Sequence, residues 1–115
     1  MKNLEQIRAK NALASKNSIT ETVGNPHKKI PALILQNGLI ATAAFALEKS
    51  KGLESVFSAV IKHLKDVKLY DGEESTENFL EYLTQRCTHE ELRHITQETM
   101  AYLSYLRRFV KGQEE

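Results

Sequence analysis

Apolar side chains recur at three- and four-residue spacing along most of this 115-residue chain, which is the pattern of amphipathic helices. The clearest stripe comprises Leu53, Val56, Phe57, Val60, Ile61, Leu64 and Val67. A second stripe near the end comprises Leu92, Ile95, Thr99, Tyr102, Leu103, Leu106 and Val110. No segment alternates as a half-buried strand does, and the length suits one core. The pattern predicts an all-α protein, a compact single-domain bundle of about five helices over residues 1–115.

The segment Ile30–Ser50 differs because it is apolar nearly all round at helical length, which is typical of a helix at the centre of a bundle. Asn37 and Gly38 interrupt it. Gly costs a helix interior about 1 kcal/mol relative to Ala, and a buried Asn needs hydrogen-bond partners. We therefore expect one helix from Pro31 to about Leu47, with a close helix–helix contact at Asn37 and Gly38.

Turn and cap signals place the other elements. A first helix over residues 3–17 is expected to bury an apolar side formed by Leu4, Ile7, Leu13 and Ala14. A connector of about residues 18–29 follows, since Gly24, Asn25 and Pro26 are strong turn formers. An acidic turn of about residues 70–76 precedes a short helix, which contains Phe79, Leu80 and Leu83.

Two of the predicted helices begin with residues that are typical of N-caps. Thr76 is the expected N-cap of the short helix. Thr88 and Glu91 fit a capping box at the start of the last helix. Residues 113–115 are expected to fray.

Composition favours a folded protein in a reducing compartment. The chain has an ordinary apolar fraction of 41% and a single cysteine, Cys87, so no internal disulfide forms. The N-terminus resembles no signal peptide. The apolar run in 30–47 is near the lower limit for a membrane span, but Gln36, Asn37 and Thr42 interrupt it. We expect no membrane association and a cytoplasmic location.

Charge is distributed unevenly although the net charge is only +1. Residues 1–68 hold eleven Lys and Arg against five acids, whereas residues 69–115 hold five against ten. One half is therefore suited to attract phosphate, unless folding mixes the two halves on every face. The low net charge argues against an independent, high-affinity nucleic-acid binder.

Three basic clusters are the candidate residues for binding nucleic-acid phosphate. They are Lys28 with Lys29, Lys49 with Lys51, and Arg107 with Arg108 and Lys111. The first pair stands near a helix N-terminus, which itself favours anions. The last trio also complements the negative end of its own helix and has a purely structural alternative role. Side chains of this kind contact phosphate and sugar, which gives affinity without base specificity.

Other chemistry is weakly indicated. His89 and His94 are five residues apart, or about 140° around a helix, so they do not share a face as paired zinc ligands do. Cys87 has no histidine obviously committed to it, and small-residue packing is its ordinary role. We expect no catalytic residue, no metal and no cofactor.

Two motifs resemble the small-subunit family of the type III-B CRISPR (Cmr) effector complex. They are Ile30-Pro31-Ala32-Leu33-Ile34-Leu35-Gln36-Asn37-Gly38-Leu39 with Ala44-Phe45, and Ala101-Tyr102-Leu103-Ser104-Tyr105-Leu106-Arg107-Arg108-Phe109. Tyr105 departs from the Trp more often found there.

The resemblance implies a non-catalytic structural subunit for antiviral defence. Its partners would be the backbone and large subunits of the complex, further copies of itself, CRISPR RNA and target RNA, with no small-molecule substrate. Two alternatives remain open from the residues alone. One is a helical adaptor that binds only protein, and the other is an enzyme that uses His89, Glu90 and His94.

Overall fold

Six helices make up the described part of the chain. The computed structural model describes residues 3–19, 26–49 and 51–111, apart from the side chains of residues 17, 18, 26–28, 49, 51, 52 and 111. The helices are α1 (Leu4–Ile19), α2 (Pro26–Asn37), α3 (Leu39–Lys49), α4 (Lys51–Asp66), α5 (Thr76–Gln85) and α6 (His89–Lys111). The prediction of an all-α, single-domain protein is confirmed, with six helices in these ranges rather than about five.

Helix boundaries differ from expectation on both sides of the predicted connector 18–29. Helix α1 continues to Ile19 and α2 already begins at Pro26. The turn residues Gly24 and Asn25 and the tail 113–115 lie outside the described residues.

The additional helix arises at Gly38, where the expected single helix over residues 31–47 breaks in two. Gly38 has a φ of 92°, a conformation that L side chains rarely adopt. Its N–H still donates to the Ile34 carbonyl of α2 (2.8 Å), and its own carbonyl accepts from the Thr42 hydroxyl of α3 (2.8 Å). The expected tight contact is wrong, because a Cβ built at Gly38 meets no atom within 4 Å and Asn37 is exposed. Glycine is needed here for its backbone freedom.

Helix α4 occupies the centre of the bundle and packs against all five other helices described. Its predicted apolar stripe is buried from Leu53 to Leu64. The expectation that residues 30–50 form the central helix is therefore wrong. Helices α2 and α3 lie at the periphery and leave Leu35 78% exposed and Phe45 41% exposed.

The two predicted cap sites have different outcomes. The capping box at α6 is confirmed, since the Thr88 hydroxyl accepts from the Glu91 N–H (3.1 Å) and the Glu91 carboxylate accepts from the Thr88 N–H (2.9 Å). The cap of α5 is Ser75 rather than Thr76, and its hydroxyl accepts from the N–H of Asn78 (3.1 Å). Thr76 is instead the buried first residue of the helix.

Helix α1 docks through polar side chains, which reverses the prediction from its apolar residues. Leu4 and Leu13 are 42% and 52% exposed, and Ala14 is exposed. The side facing the bundle carries Arg8 and Asn11 beside the buried Ala12 and Ile19. These polar groups find partners on α4 and α6, so the buried face of α1 does not follow its hydrophobic pattern.

Those partners form one connected network, which we call the α1 network: Arg8, Asn11, His63, Asp66 and Glu98. The Arg8 guanidinium donates to both oxygens of Glu98, at 2.8 and 2.7 Å. The Nε2 of His63 lies 2.8 Å from Glu98 Oε2, and its Nδ1 lies 2.9 Å from Asn11 Nδ2. The same Asn11 nitrogen donates to Asp66 Oδ2 at 3.1 Å. Glu98 is only 3% exposed, yet each of its oxygens is paired.

Candidate nucleic-acid interface

The solvent-facing side of α6 is a line of cationic and neutral polar side chains. We call Arg93, Gln97, Ser104, Arg107 and Arg108 the basic strip, and all five are exposed. At about 100° per residue, they fall within about 100° of the helix circumference. Arg93 and Arg107 are about 21 Å apart along the axis at 1.5 Å per residue. Several consecutive phosphates of one nucleic-acid strand occupy such a length.

Glu90 is the one carboxylate of α6 that shares the arc of this strip, and it borders a groove with Arg93 and Gln97 at the N-terminal end of the helix. Helix α6 has three acids, of which Glu90 and Glu91 lie in its first turn. The third, Glu98, faces inward and is held by Arg8 and His63. Burial raises the pKa of Glu98, but the hydrogen bonds from Arg8 and His63 outweigh burial, so the pKa lies below its ordinary value. Glu98 is therefore ionised at neutral pH, with its charge neutralised inside the bundle.

The arginines of the strip have no protein partner in the described part of the chain. No carboxylate of that part lies within ion-pair distance of Arg93, Arg107 or Arg108. In contrast, Arg8 is fully committed to Glu98, and Lys65 lies 4.0 Å from Glu74. The guanidinium groups of the strip are thus available for an external anion.

The predicted site residues fall on different helices. Arg107 and Arg108 lie together on the basic strip, and Lys29 is exposed on α2. The side chains of Lys28, Lys49, Lys51 and Lys111 lie outside the described residues.

Sequence reasoning missed Arg93, Gln97 and Ser104. Arg93 follows Glu90 and Glu91 closely, so it reads as part of a mixed-charge helix start. The available signal was helical spacing, because Arg93, Gln97, Ser104 and Arg108 recur at intervals that keep them on one face. Arg93 therefore shares a helix face with Arg107 and Arg108 although it is distant from them in the sequence.

A second surface lies on α3. We call Ala41, Ala44, Phe45 and Leu47 the apolar face. Ala44 is half-buried and the other three are exposed, with Phe45 at 41% and Leu47 at 37%. The exposed Glu48 lies among them on the same side of the helix. Helix α3 packs on α2, α4 and α5 through its opposite side, where Ala43 and Ala46 are buried. Apolar surface of this kind marks protein contacts when it is contiguous.

The candidate metal and nucleophile residues are separated. His89 borders a groove of about 420 Å³ beside Leu39, whereas His94 borders another groove beside Tyr70. Within the described ranges, no three His, Cys, Asp or Glu side chains gather closely enough to bind a metal ion. Burial, followed by the charge of Glu91, raises the pKa of the Cys87 thiol, so the thiol stays protonated at neutral pH.

The lengths and hydrophobicities of the helices bear on membrane insertion. Across residues 3–19, 26–49 and 51–111, no helix combines the length and the apolar character that crossing a bilayer requires.

The fold and its exposed faces define a small all-helical protein with a line of exposed arginines on α6 and exposed apolar side chains on α3. Comparison with known proteins is consistent with this class. The model of the family described as CRISPR-associated protein (Cas_Cmr5) matches residues 4–113. The chain belongs to this family, and the resemblance of the two sequence motifs is confirmed.

A solved structure supports the fold. The chain is similar to the crystal structure of a CRISPR-associated Cmr5 family protein from Thermus thermophilus, with a TM-score of 0.80 and 18% identity. The similarity covers 100% of both chains. No curated protein sequence matches the chain.

Proposed function

We propose that this protein is a non-catalytic structural subunit of a type III-B CRISPR RNA-guided effector complex. It stacks in several copies beside the backbone and large subunits and helps hold the duplex of CRISPR RNA and target RNA. Its RNA contacts are to phosphates and independent of sequence. The observation that carries the proposal is the basic strip of α6, whose arginines have no protein partner among the described residues.

Electrostatics support an RNA-backbone contact at the basic strip. Arginine binds phosphate in a bidentate manner, and the amide of Gln97 and the hydroxyl of Ser104 add uncharged hydrogen-bonding groups. None of these residues is held in a fixed geometry that would read base edges. Phosphate contacts of this kind position a protein on nucleic acid without specifying sequence.

The three earlier clusters complete the proposed RNA-binding set. Arg107 and Arg108 belong to the basic strip, and Lys111 follows them in α6. The pair Lys28 and Lys29 lies in the N-terminal region of α2. The pair Lys49 and Lys51 lies at the boundary between α3 and α4. We rank the basic strip first, because its described side chains form a continuous line.

The apolar face supports stacking of copies or contact with a neighbouring subunit. Phe45 and Leu47 present apolar surface to solvent, where each exposed square ångström costs about 25 cal/mol relative to burial. Such a patch is small compared with the ~800 Å² per partner of a stable interface. Contacts through it are therefore expected to be weak for two free chains and effective within an assembly.

The state of the candidate nucleophile and of the buried histidine also fits a structural role. The Cys87 thiol is not activated, and both ring nitrogens of His63 are occupied inside the bundle. We assign cleavage to other subunits and propose a cytoplasmic location, where the guide RNA and the other subunits are assembled.

Target-RNA binding by reconstituted complexes tests this proposal. The test variant is Arg93→Gln/Arg107→Gln/Arg108→Gln, which removes three charges from the basic strip. Its matched control is Lys10→Gln/Lys62→Gln/Lys68→Gln, which removes three exposed charges from other faces. We expect the test variant to assemble normally and to bind target RNA at least about tenfold more weakly at moderate salt. The control should bind almost as the parent does.

Parallel variants separate the competing outcomes. Lys28→Ala/Lys29→Ala and Lys49→Ala/Lys51→Ala test the other two clusters. If every variant assembles and binds RNA normally, the chain is a protein-only scaffold and the RNA assignment is wrong. If the parent chain does not enter the complex at all, the assignment to a type III-B effector fails.

Stacking is tested by the number of copies per complex in native mass spectrometry. Phe45→Ser/Leu47→Ser should lower the copy number. Leu4→Ser/Leu13→Ser, which changes two similarly exposed leucines on α1, is the matched control and should not. Equal copy numbers in both variants would contradict a role for the apolar face.

A further inference from the structure

We propose that His63 acts as a proton-operated lock on α1. The neutral imidazole holds α1 against the bundle, and protonation of the ring releases α1 while α4 and α6 stay packed together. This inference rests on the α1 network alone and does not depend on the proposed function in RNA binding.

The geometry selects one protonation state of His63. Its side chain is fully buried, and each ring nitrogen has one partner: Glu98 at Nε2 and Asn11 at Nδ1. An ionised carboxylate only accepts hydrogen bonds, so Nε2 must carry the proton. The Asn11 amide nitrogen also donates to the Asp66 carboxylate, which fixes the orientation of that amide. An amide nitrogen only donates, so Nδ1 must be unprotonated and the ring neutral.

A second proton on the ring breaks the contact to α1. The new Nδ1–H would point at the Asn11 amide nitrogen, so two donors would face each other 2.9 Å apart. If the amide flipped, its oxygen would accept from Nδ1–H but would then face the Asp66 carboxylate. In either case, α1 loses one hydrogen bond at Asn11.

The same proton strengthens the contact between α4 and α6. The Nε2–H bond from His63 to Glu98 becomes charge-assisted, and such bonds are about twice as strong as neutral ones. Arg8 shares Glu98 Oε2 with the ring, so the imidazolium repels the guanidinium of α1. Protonation therefore weakens the second polar anchor of α1 as well. The effect is specific to α1 because Asn11 and Arg8, the α1 residues of the network, both face the ring or its partner.

The surroundings of the ring keep the lock closed at neutral pH. Arg8 faces it from α1, Asp66 from its own helix, and Glu98 with the stacked ring of Tyr102 (centroids 4.4 Å apart) from α6. Burial lowers the pKa of His63, and Arg8 acts in the same direction. Glu98 and Asp66 oppose them, and the resulting pKa lies below the ordinary value of 6.5. The lock opens on acidification below that value.

Other contacts of α1 lie on either side of Arg8 and Asn11. The Tyr105 hydroxyl of α6 donates to Glu5 (3.0 Å), and Ala12 and Ile19 are buried, whereas Leu4 and Leu13 point outward. Loss of complementarity at Arg8 and Asn11 therefore weakens the docking of α1 at its middle, since an unsatisfied buried group costs its full desolvation energy.

Amide hydrogen exchange on the full chain tests the lock, with rates corrected for the intrinsic effect of pH. As the pH falls from 8 to the point where nitrogen-15 NMR shows the His63 ring doubly protonated, we expect protection of α1 to fall about tenfold, as for one lost hydrogen bond. Protection of buried α4 and α6 amides should stay within about twofold. Nitrogen-15 NMR should show the Nε2–H tautomer of His63 at pH 8. His94→Gln, which removes an exposed histidine, should respond as the parent does.

The exchanged pair Asn11→Asp/Asp66→Asn is the decisive variant, because it keeps composition and charge while placing an acceptor at Nδ1. Its α1 protection should rise, not fall, on acidification. The inference is overturned if the parent keeps α1 protection after the His63 ring has become doubly protonated, if α1 and α6 lose protection together, or if the exchanged variant responds as the parent does. Should that variant fail to fold, His63→Phe provides the test, since it should make α1 protection low and independent of pH.

Discussion

Helices α1 and α3 both pack on the central helix α4, yet they do so in opposite ways. Helix α1 turns the half-buried Arg8 and Asn11 toward the bundle and exposes Leu4 and Leu13. Helix α3 buries Ala43 and Ala46 and still exposes Phe45. The contact of α1 is directional and depends on matched donors and acceptors, whereas the contact of α3 depends on shape and apolar area.

The difference teaches which surfaces remain for partners. Because polar groups hold α1 to α6, Glu98 is neutralised inside, and Glu90 in the first turn is the one acid of α6 beside the basic strip. Because α3 exposes Phe45 and Leu47 on its outer side, next to the exposed Glu48, this side remains available for protein. Polyanion binding and protein binding are thus assigned to different helices, and the following predictions test that division.

The largest effect is expected at Glu98, the centre of the α1 network. Glu98→Leu leaves His63 and Arg8 without their acceptor, and breaking a buried pair costs about 3–5 kcal/mol. Arg8 is 24% exposed and regains water, so we expect about 2–3 kcal/mol in urea unfolding. Glu98→Gln keeps one acceptor oxygen and should cost less. Equal stability of Glu98→Leu and the parent would show that α1 is held by apolar contacts after all.

At the break between α2 and α3, Gly38→Ala and Gly38→Leu should cost about the same, roughly 1–2 kcal/mol. The reason is the φ of 92° with open space around the Cβ position. Gly38→Asn should cost less, because Asn tolerates positive φ. Thermal unfolding of the three variants measures this. A much larger loss for Leu than for Ala would restore the tight-contact interpretation.

Stability of the parent should fall on acidification in two steps. The folded-state pKa of His63 is below 6.5, so the unfolded chain binds more protons as pH falls below 6.5 and stability decreases. The folded-state pKa of Glu98 is below 4.5, so a second decrease begins below that pH. His63→Phe should abolish the first step and keep the second. Stability that rises between pH 6.5 and 5.5 would contradict the assignment.

The smallest effect on stability is expected on the apolar face. Phe45→Ser and Leu47→Ser should each change the free energy of unfolding by less than about 0.5 kcal/mol, because both side chains are already exposed in the free chain. Urea unfolding of these two variants and of Glu98→Leu under the same conditions compares the loss of stability at α3 directly with the loss at α1. A loss above about 2 kcal/mol for Phe45→Ser would mean that this face is part of the core.

The helices that were correctly predicted from the sequence are those in which the apolar stripe is uninterrupted. Helices α4 and α6 follow their apolar periodicity, and the capping box at Thr88 depends only on neighbouring residues. Helix α1 did not follow its pattern, because Glu98 lies 90 residues away in sequence from Arg8. The break at Gly38 was visible as an irregularity, but a glycine in an apolar run fits close packing and a backbone turn equally well.

The candidate site was predicted in part for a similar reason. Arg107 and Arg108 stand together and are visible as a cluster, whereas Arg93 joins them only through helical geometry. The inward position of Glu98, which keeps this acid off the strip, depends on the tertiary contact with α1.

The most direct test of the central claim, that the outer face of α6 contacts the RNA backbone, is the salt dependence of target-RNA binding. Each neutralised phosphate contributes about 0.7 to 0.9 to the slope of log K against log salt concentration. Complexes with Arg93→Gln/Arg107→Gln/Arg108→Gln should therefore show a slope shallower by about 2, equally for unrelated guide and target sequences. The matched Lys10→Gln/Lys62→Gln/Lys68→Gln complexes should keep the parental slope. An unchanged slope in the arginine variant would contradict the claim.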